Sequence, residues 1–139
     1  MKNLIKKAEA HRRDVKKKRA ELLELYNKYE GTYTKLETVP DESRYDDSYI
    51  DTWNVSDKLK LKARKELWDL IEREGVWVVV SYYWDLAQGC WEVGGSVGAC
   101  VPDGKHYEED LKIEAAACLQ ECFQAQADEL AKRATYAGV

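Results

Sequence analysis

Residues 94–98, Gly94-Gly95-Ser96-Val97-Gly98, carry the G-x-S-x-G pattern in which serine hydrolases hold their nucleophile. That chemistry needs a strand-to-helix turn at the serine and a histidine to take its proton. Here a β-type run continues through Cys100 and Val101, and the only downstream histidine, His106, follows a Pro102-Asp103-Gly104 turn. The pattern therefore reads as a strand in which Gly94, Gly95 and Gly98 mark a bulge or the close approach of another backbone. Four cysteines raise the question of zinc, but Cys90, Cys100, Cys118 and Cys122 lack the paired short spacings of zinc knuckles. Cys118 and Cys122 share a helix face with Leu111, Ala115 and Leu119, which predicts structural thiols in an apolar setting. No cysteine has a cationic sequence neighbour to favour its thiolate. No glycine-rich loop precedes a helix to cradle phosphate. No catalytic residue, metal ligand or cofactor is assigned on these grounds.

Charge is distributed more tellingly. The first nineteen residues hold nine Lys/Arg against Glu9 and Asp14, a net +7 in a chain whose total is −4, so residues 20–139 carry −11. A basic block on an acidic body suits contact with a polyanion or an oppositely charged surface. Within HRRDVKKKR, the residues Arg12, Arg13, Lys16, Lys17 and Arg19 fall close enough to neutralise several phosphates together, and they are the candidate nucleic-acid-binding set. The plainer alternatives are a solvated face or a coiled-coil arm through which copies associate. A second candidate is the segment YDDSYIDTW, where Tyr45, Asp46, Asp47, Tyr49, Asp51 and Trp53 interleave acids with rings. Such a strip fits a basic groove on a protein partner, or it covers the chain's own basic helix.

The elements that must position these residues follow from pattern. Residues 2–30 read as one helix with a narrow stripe of Leu4, Ala8, Val15, Leu22, Leu25 and Tyr29, its second half apolar enough to dock and its end at Gly31. Residues 32–39 form a candidate edge strand ending at Pro40. Residues 40–55 show neither helical nor strand period and are read as a long acidic, aromatic loop that includes Glu42. A helix starts near Ser56 or Asp57 and stops at Gly75, with Leu59, Ala63, Leu67, Leu70 and Ile71 on one face. Val76 to Trp84 is nearly all apolar, as in a strand covered on much of both faces. Residues 90–101 alternate as a half-buried strand, and a last helix runs from about Tyr107 to Arg133, with Glu108, Glu109 and Asp110 in its favourable first turn. The fold class is α+β: a long N-terminal helix, then helix, strand, strand, helix on a small antiparallel sheet. Two parts are expected, a basic helical arm over 1–31 and one α+β domain over 32–139. The basic start leads into Ala8, Glu9 and His11 instead of an apolar stretch, and no run is long enough to span a membrane, which leads to the expectation of a cytoplasmic protein without membrane contact.

An α-β-β-α unit with a Trp-rich hairpin, the amphipathic helix EAAACLQECF (114–123) and a highly charged arm resembles the short accessory proteins that phages encode, including host-defence inhibitors such as anti-CRISPR proteins. The resemblance covers residues 57–133 at the level of architecture and carries no functional residue across. It implies a stoichiometric binder instead of a catalyst, working in a host cytoplasm. The leading expectation is a non-enzymatic protein that inhibits a nucleic-acid-handling complex by protein contact through residues 45–53. The alternatives are direct, sequence-independent nucleic-acid binding through residues 2–19, and a small enzyme with an unrecognised site.

Overall fold

The computed structural model describes residues 2–41, 45–100 and 105–137. Glu42 of the acidic strip, Val101 and the Pro102-Asp103-Gly104 turn lie outside the described residues. The protein is α+β: α1 (Lys2–Tyr29), β1 (Thr34–Pro40), a 3₁₀ helix (Ser48–Thr52), α2 (Asp57–Glu74), β2 (Trp77–Asp85), β3 (Cys90–Cys100), a 3₁₀ turn (Lys105–Tyr107) and α3 (Glu108–Ala137). The sheet is antiparallel with order β1-β2-β3, so the residue 32–39 segment is an edge strand, displaced slightly to Thr34–Pro40.

Local chemistry sets the boundaries. Gly31 takes a left-handed φ of 85°, and the Thr32 and Tyr33 N–H groups both donate to the Tyr29 carbonyl, closing α1. The buried Thr34 hydroxyl then donates to the Tyr26 carbonyl at 2.8 Å, tying the strand start to the helix. At α2 the Ser56 hydroxyl accepts from the Leu59 N–H, and the Gly75 N–H donates to the Ile71 carbonyl.

Helix α3 lies across one face of the sheet, where Leu111 packs with Val79 and Cys100, and Leu36 and Val97 border the cluster. Helix α1 packs on α3 in turn, through Leu22 and Tyr26 against Ile113, Ala115 and Ala116. Arg19 meets Asp110 at one end of this contact and Tyr29 meets Phe123 at the other, so the two helices run parallel. The line between arm and body therefore falls inside α1, and only residues 2–18 stand free. Strand β2 departs from the expectation of cover on both faces. Val79 and Ser81 are buried under α3, while Val78, Val80, Tyr82 and Trp84 face away from it and are only half-buried. That outer face covers itself: Trp84 packs edge-on against Trp91 at 5.3 Å, and Lys35 lies over the Tyr82 and Trp91 rings at 4.9 and 4.6 Å.

The glycines of β3 make the helix-on-sheet contact possible. The ladder shifts register between Ser81 and Tyr82, next to Gly94 and Gly95, which is the expected bulge. A Cβ on Gly94 would stand 2.7 Å from the Ala115 Cα and 3.0 Å from its backbone nitrogen, so the second expectation, a close backbone approach, is met as well. Gly94→Ala should destabilise the fold by about 1–3 kcal/mol, because backbone cannot give way as a side chain does. Gly98, whose added Cβ would make ordinary contacts at 3.5 Å or more, should change stability by less than about 0.5 kcal/mol on the same substitution. Denaturant midpoints of the two variants check the contrast, and equal losses would refute it.

Candidate functional site

The free half of α1 is an exposed cationic surface. Residues 2–18 hold eight Lys/Arg against Glu9 and Asp14, and every one of these residues is exposed. Arg12, Arg13, Lys16 and Lys17 form no ion pair among the described residues and point into solvent. Arg19 does not belong with them. Its guanidinium bonds Asp110 at 2.6 Å and lies 3.7 Å from Glu109, and the hydrogen bond to Asp110, followed by those charges, holds its pKa above the ordinary value. Arg19 is thus half-buried at the junction where the arm leaves the body.

The aromatic segment takes a different form from the open loop expected of it. Ser48–Thr52 winds into the 3₁₀ helix, with Asp46 accepting from the Ser48 N–H at 2.9 Å, which holds the Asp46 carboxyl below its ordinary range. Ile50 turns inward and is 1% exposed. Asp47 accepts from the Trp68 indole N–H at 2.9 Å and lies 3.4 Å from Arg64, while Asp51 pairs with the same Arg64. Tyr45 stands edge-on to Trp68 and shares a hydrogen bond of 2.9 Å with Tyr49. Burial first, then that hydrogen bond, pushes the Tyr45 phenol up to about 12. The acidic strip therefore docks on α2 of its own chain, not on the basic arm. Tyr49 and Trp53 remain outward, each 43% exposed and 6.0 Å apart in a tilted stack.

Helix α2 has no buried residue, and its contacts are chiefly with the 3₁₀ helix. The shared face of Leu59, Ala63, Leu67, Leu70 and Ile71 is thus only partly used, and Leu59 stays exposed. Sequence reasoning passed over Lys58, Lys60, Lys62, Arg64 and Lys65 on this helix. The run KLKLKARK was visible, but the role of Arg64 as counter-ion to two aspartates thirteen and more residues earlier required the fold.

Among the described residues the G-x-S-x-G serine and the cysteines are placed as follows. Ser96 is an exposed residue inside β3, paired with Val80, and not at the strand-to-helix turn that the hydrolase pattern needs. A groove of about 510 Å³ lies between the β2–β3 turn and α3, lined by Leu86, Ala87, Cys122, Leu130 and the Glu129–Arg133 ion pair. Burial pushes the thiols of Cys90, Cys118 and Cys122 up, the direction opposite to that of an activated nucleophile. Among the described residues no group of His, Cys, Asp or Glu is placed to hold a metal ion, and no helix is long and apolar enough to cross a membrane. Compared with protein families, curated proteins and solved structures, the chain matches none.

The phenols give the site a pH signature. Tyr26 and Tyr45 both rise from an ordinary value of 10.0 to about 12 in the folded protein. For an acid raised on folding, the stabilisation is full below the unfolded value and disappears as pH climbs through the folded one. Stability should therefore fall between pH 10 and about 12, and Tyr45→Phe should reduce that fall. A denaturant series followed across this range tests the point, and an unchanged alkaline profile in the variant would show that Tyr45 is not held as described.

Proposed function

We propose that the protein is a non-enzymatic binder that contacts the phosphate backbone of nucleic acid through the free half of α1, without reading base sequence. The observation that supports this most directly is the state of Arg12, Arg13, Lys16 and Lys17, exposed and without an ion pair among the described residues, on a helix that projects from an acidic body. Cations held for structure are neutralised by their own chain, as Arg19 and Arg64 are here. These four are left for an external anion, and releasing condensed counterions would drive their association. The −11 of the remaining chain opposes approach, so the affinity should be weak and strongly dependent on salt.

Replacing Arg12, Arg13, Lys16 and Lys17 together by Ala should weaken binding to all duplex sequences alike and reduce the slope of log affinity against log salt by up to about 3–4. Fluorescence anisotropy with labelled duplexes at several salt concentrations measures both quantities. Unchanged affinity and slope in the variant would remove the reading.

A second reading, stoichiometric contact with a protein of a nucleic-acid-handling complex, is favoured by the exposed Tyr49–Trp53 stack. Because Arg64 already answers Asp47 and Asp51, the partner would present an apolar surface to these rings instead of the basic groove that the sequence suggests. A Tyr49→Ala, Trp53→Ala variant should keep nearly full stability yet lose about 2 kcal/mol of such binding. A variant that melts far lower while its folded fraction binds normally would assign the rings to the scaffold.

A further inference from the structure

The contact between α1 and α3 is parallel but staggered, running from Arg19 at Asp110 to Tyr29 at Phe123. Before that contact begins, α1 has seventeen residues, 2–18, all of them exposed; after it ends, α3 continues over 124–137, with 124–135 all exposed. At 1.5 Å per residue the two overhangs measure about 25 Å and about 21 Å, and they leave opposite ends of the molecule.

Both overhangs keep the pattern of the contact they extend. On α1, Leu4, Ala8, His11 and Val15 lead at alternating three- and four-residue steps, through Lys18 at the edge of the contact, into Leu22, Leu25 and Tyr29, which dock on α3. On α3, the same steps carry the α1-facing line from Ala116, Gln120 and Phe123 to Ala127, Leu130 and Ala134. Leu4, Val15 and Leu130 are 69%, 44% and 58% exposed. The whole chain presents 10496 Å² of accessible surface, where a monomer of its 16.1 kDa mass should present about 7,400 Å². The excess of about 3,000 Å², to which the arm, the tail and the sparsely covered α2 all contribute, is of the size that lasting protein assemblies cover.

We propose that the α1 arm of one copy lies parallel on the α3 tail of a second copy, extending the α1–α3 seam from chain to chain. Two arms cannot pair with each other easily, since each is strongly cationic. The tail, with Asp128 and Glu129 against Lys132 and Arg133, is balanced and accepts a cationic helix without repulsion. At 100° per residue, Lys2, Lys6, Arg13 and Lys16 project away from the Leu4–Val15 stripe, so the contact leaves them outward. Because the arm and the tail are different surfaces at opposite ends, the association is head to tail and open instead of a closed two-fold dimer. It is independent of the nucleic-acid reading and is measured on protein alone.

Sedimentation velocity of the full chain over a wide concentration range tests it. The wild-type weight-average mass should rise past that of two chains. Leu4→Lys with Val15→Lys blocks the arm, and Ala127→Lys with Leu130→Lys blocks the tail; all four positions are exposed, and circular dichroism confirms that each variant folds. Each blocked protein alone should stay at one chain mass, whereas an equimolar mixture should form two-chain species and nothing larger, since it contains one intact arm and one intact tail. A wild-type protein that remains a single chain at every concentration overturns the proposal. So does assembly that survives in the tail-blocked variant, or assembly lost in both variants and not restored by mixing, which is the behaviour of a self-complementary interface.

Discussion

The packing of this protein depends on one backbone contact, the seating of Ala115 on Gly94. With no side chain at residue 94, α3 comes within van der Waals distance of β3, and Leu111 reaches Val79 and Cys100 in the layer below. The same small residues serve the other side of the helix. Ala115 and Ala116 are fully buried, and on that side Leu22 and Tyr26 of α1 pack into a second cluster with them. A larger residue at any of these positions would push apart three layers at once, since interiors packed at crystalline density transmit such displacements.

The layering also decides which charges are used internally. Arg19 sits where α1 first meets α3 and is taken by Asp110, and Arg64 sits where the 3₁₀ helix meets α2 and is taken by Asp47 and Asp51. Exposed pairs of this kind add little stability by themselves. Their effect here is on position, since they fix the tilt of the aromatic segment while Ile50 and the contact of Tyr45 with Trp68 supply the apolar cohesion. The acids of residues 46–51 are consequently occupied within their own unit, and the cations of residues 2–18 are left to the solvent.

How far the sequence disclosed this arrangement depended on the range of the interactions. Ser56 and Gly75 announced both ends of α2, Gly31 the end of α1, and the triple glycine the tight seat of α3, because caps, left-handed turns and missing side chains act within a few residues. The partnership of Arg19 with Asp110 spans ninety-one residues, and nothing local distinguishes Arg19 from Lys18. Ile50 was hidden among Asp46, Asp47 and Asp51 in a segment whose lack of helical or strand period suggested a loop, although a single inward residue suffices to seat a short 3₁₀ helix. The apolar face of α2 was legible, but its sparse coverage was not, since periodicity reports that a face exists and not what lies against it. For the cationic arm, sequence located the charges, while their freedom from the acidic body could only be seen in the fold.

That freedom has a consequence for the helix itself. The peptide dipoles of α1 sum to a partial positive charge at its start, yet the first turn contains no acid and begins with Lys2, followed by Lys6 and Lys7. Cations at that end oppose the helix by about 0.3–1 kcal/mol each, and the seventeen free residues have no tertiary packing to offset it, close to the length at which isolated helices are marginal in water. Anions that neutralise these lysines therefore favour the helical form of the arm. Salt that screens the cations, or a phosphate that pairs with them, relieves the same opposition, so that the electrolyte acts on the rigidity of the arm as well as on its attraction for a partner.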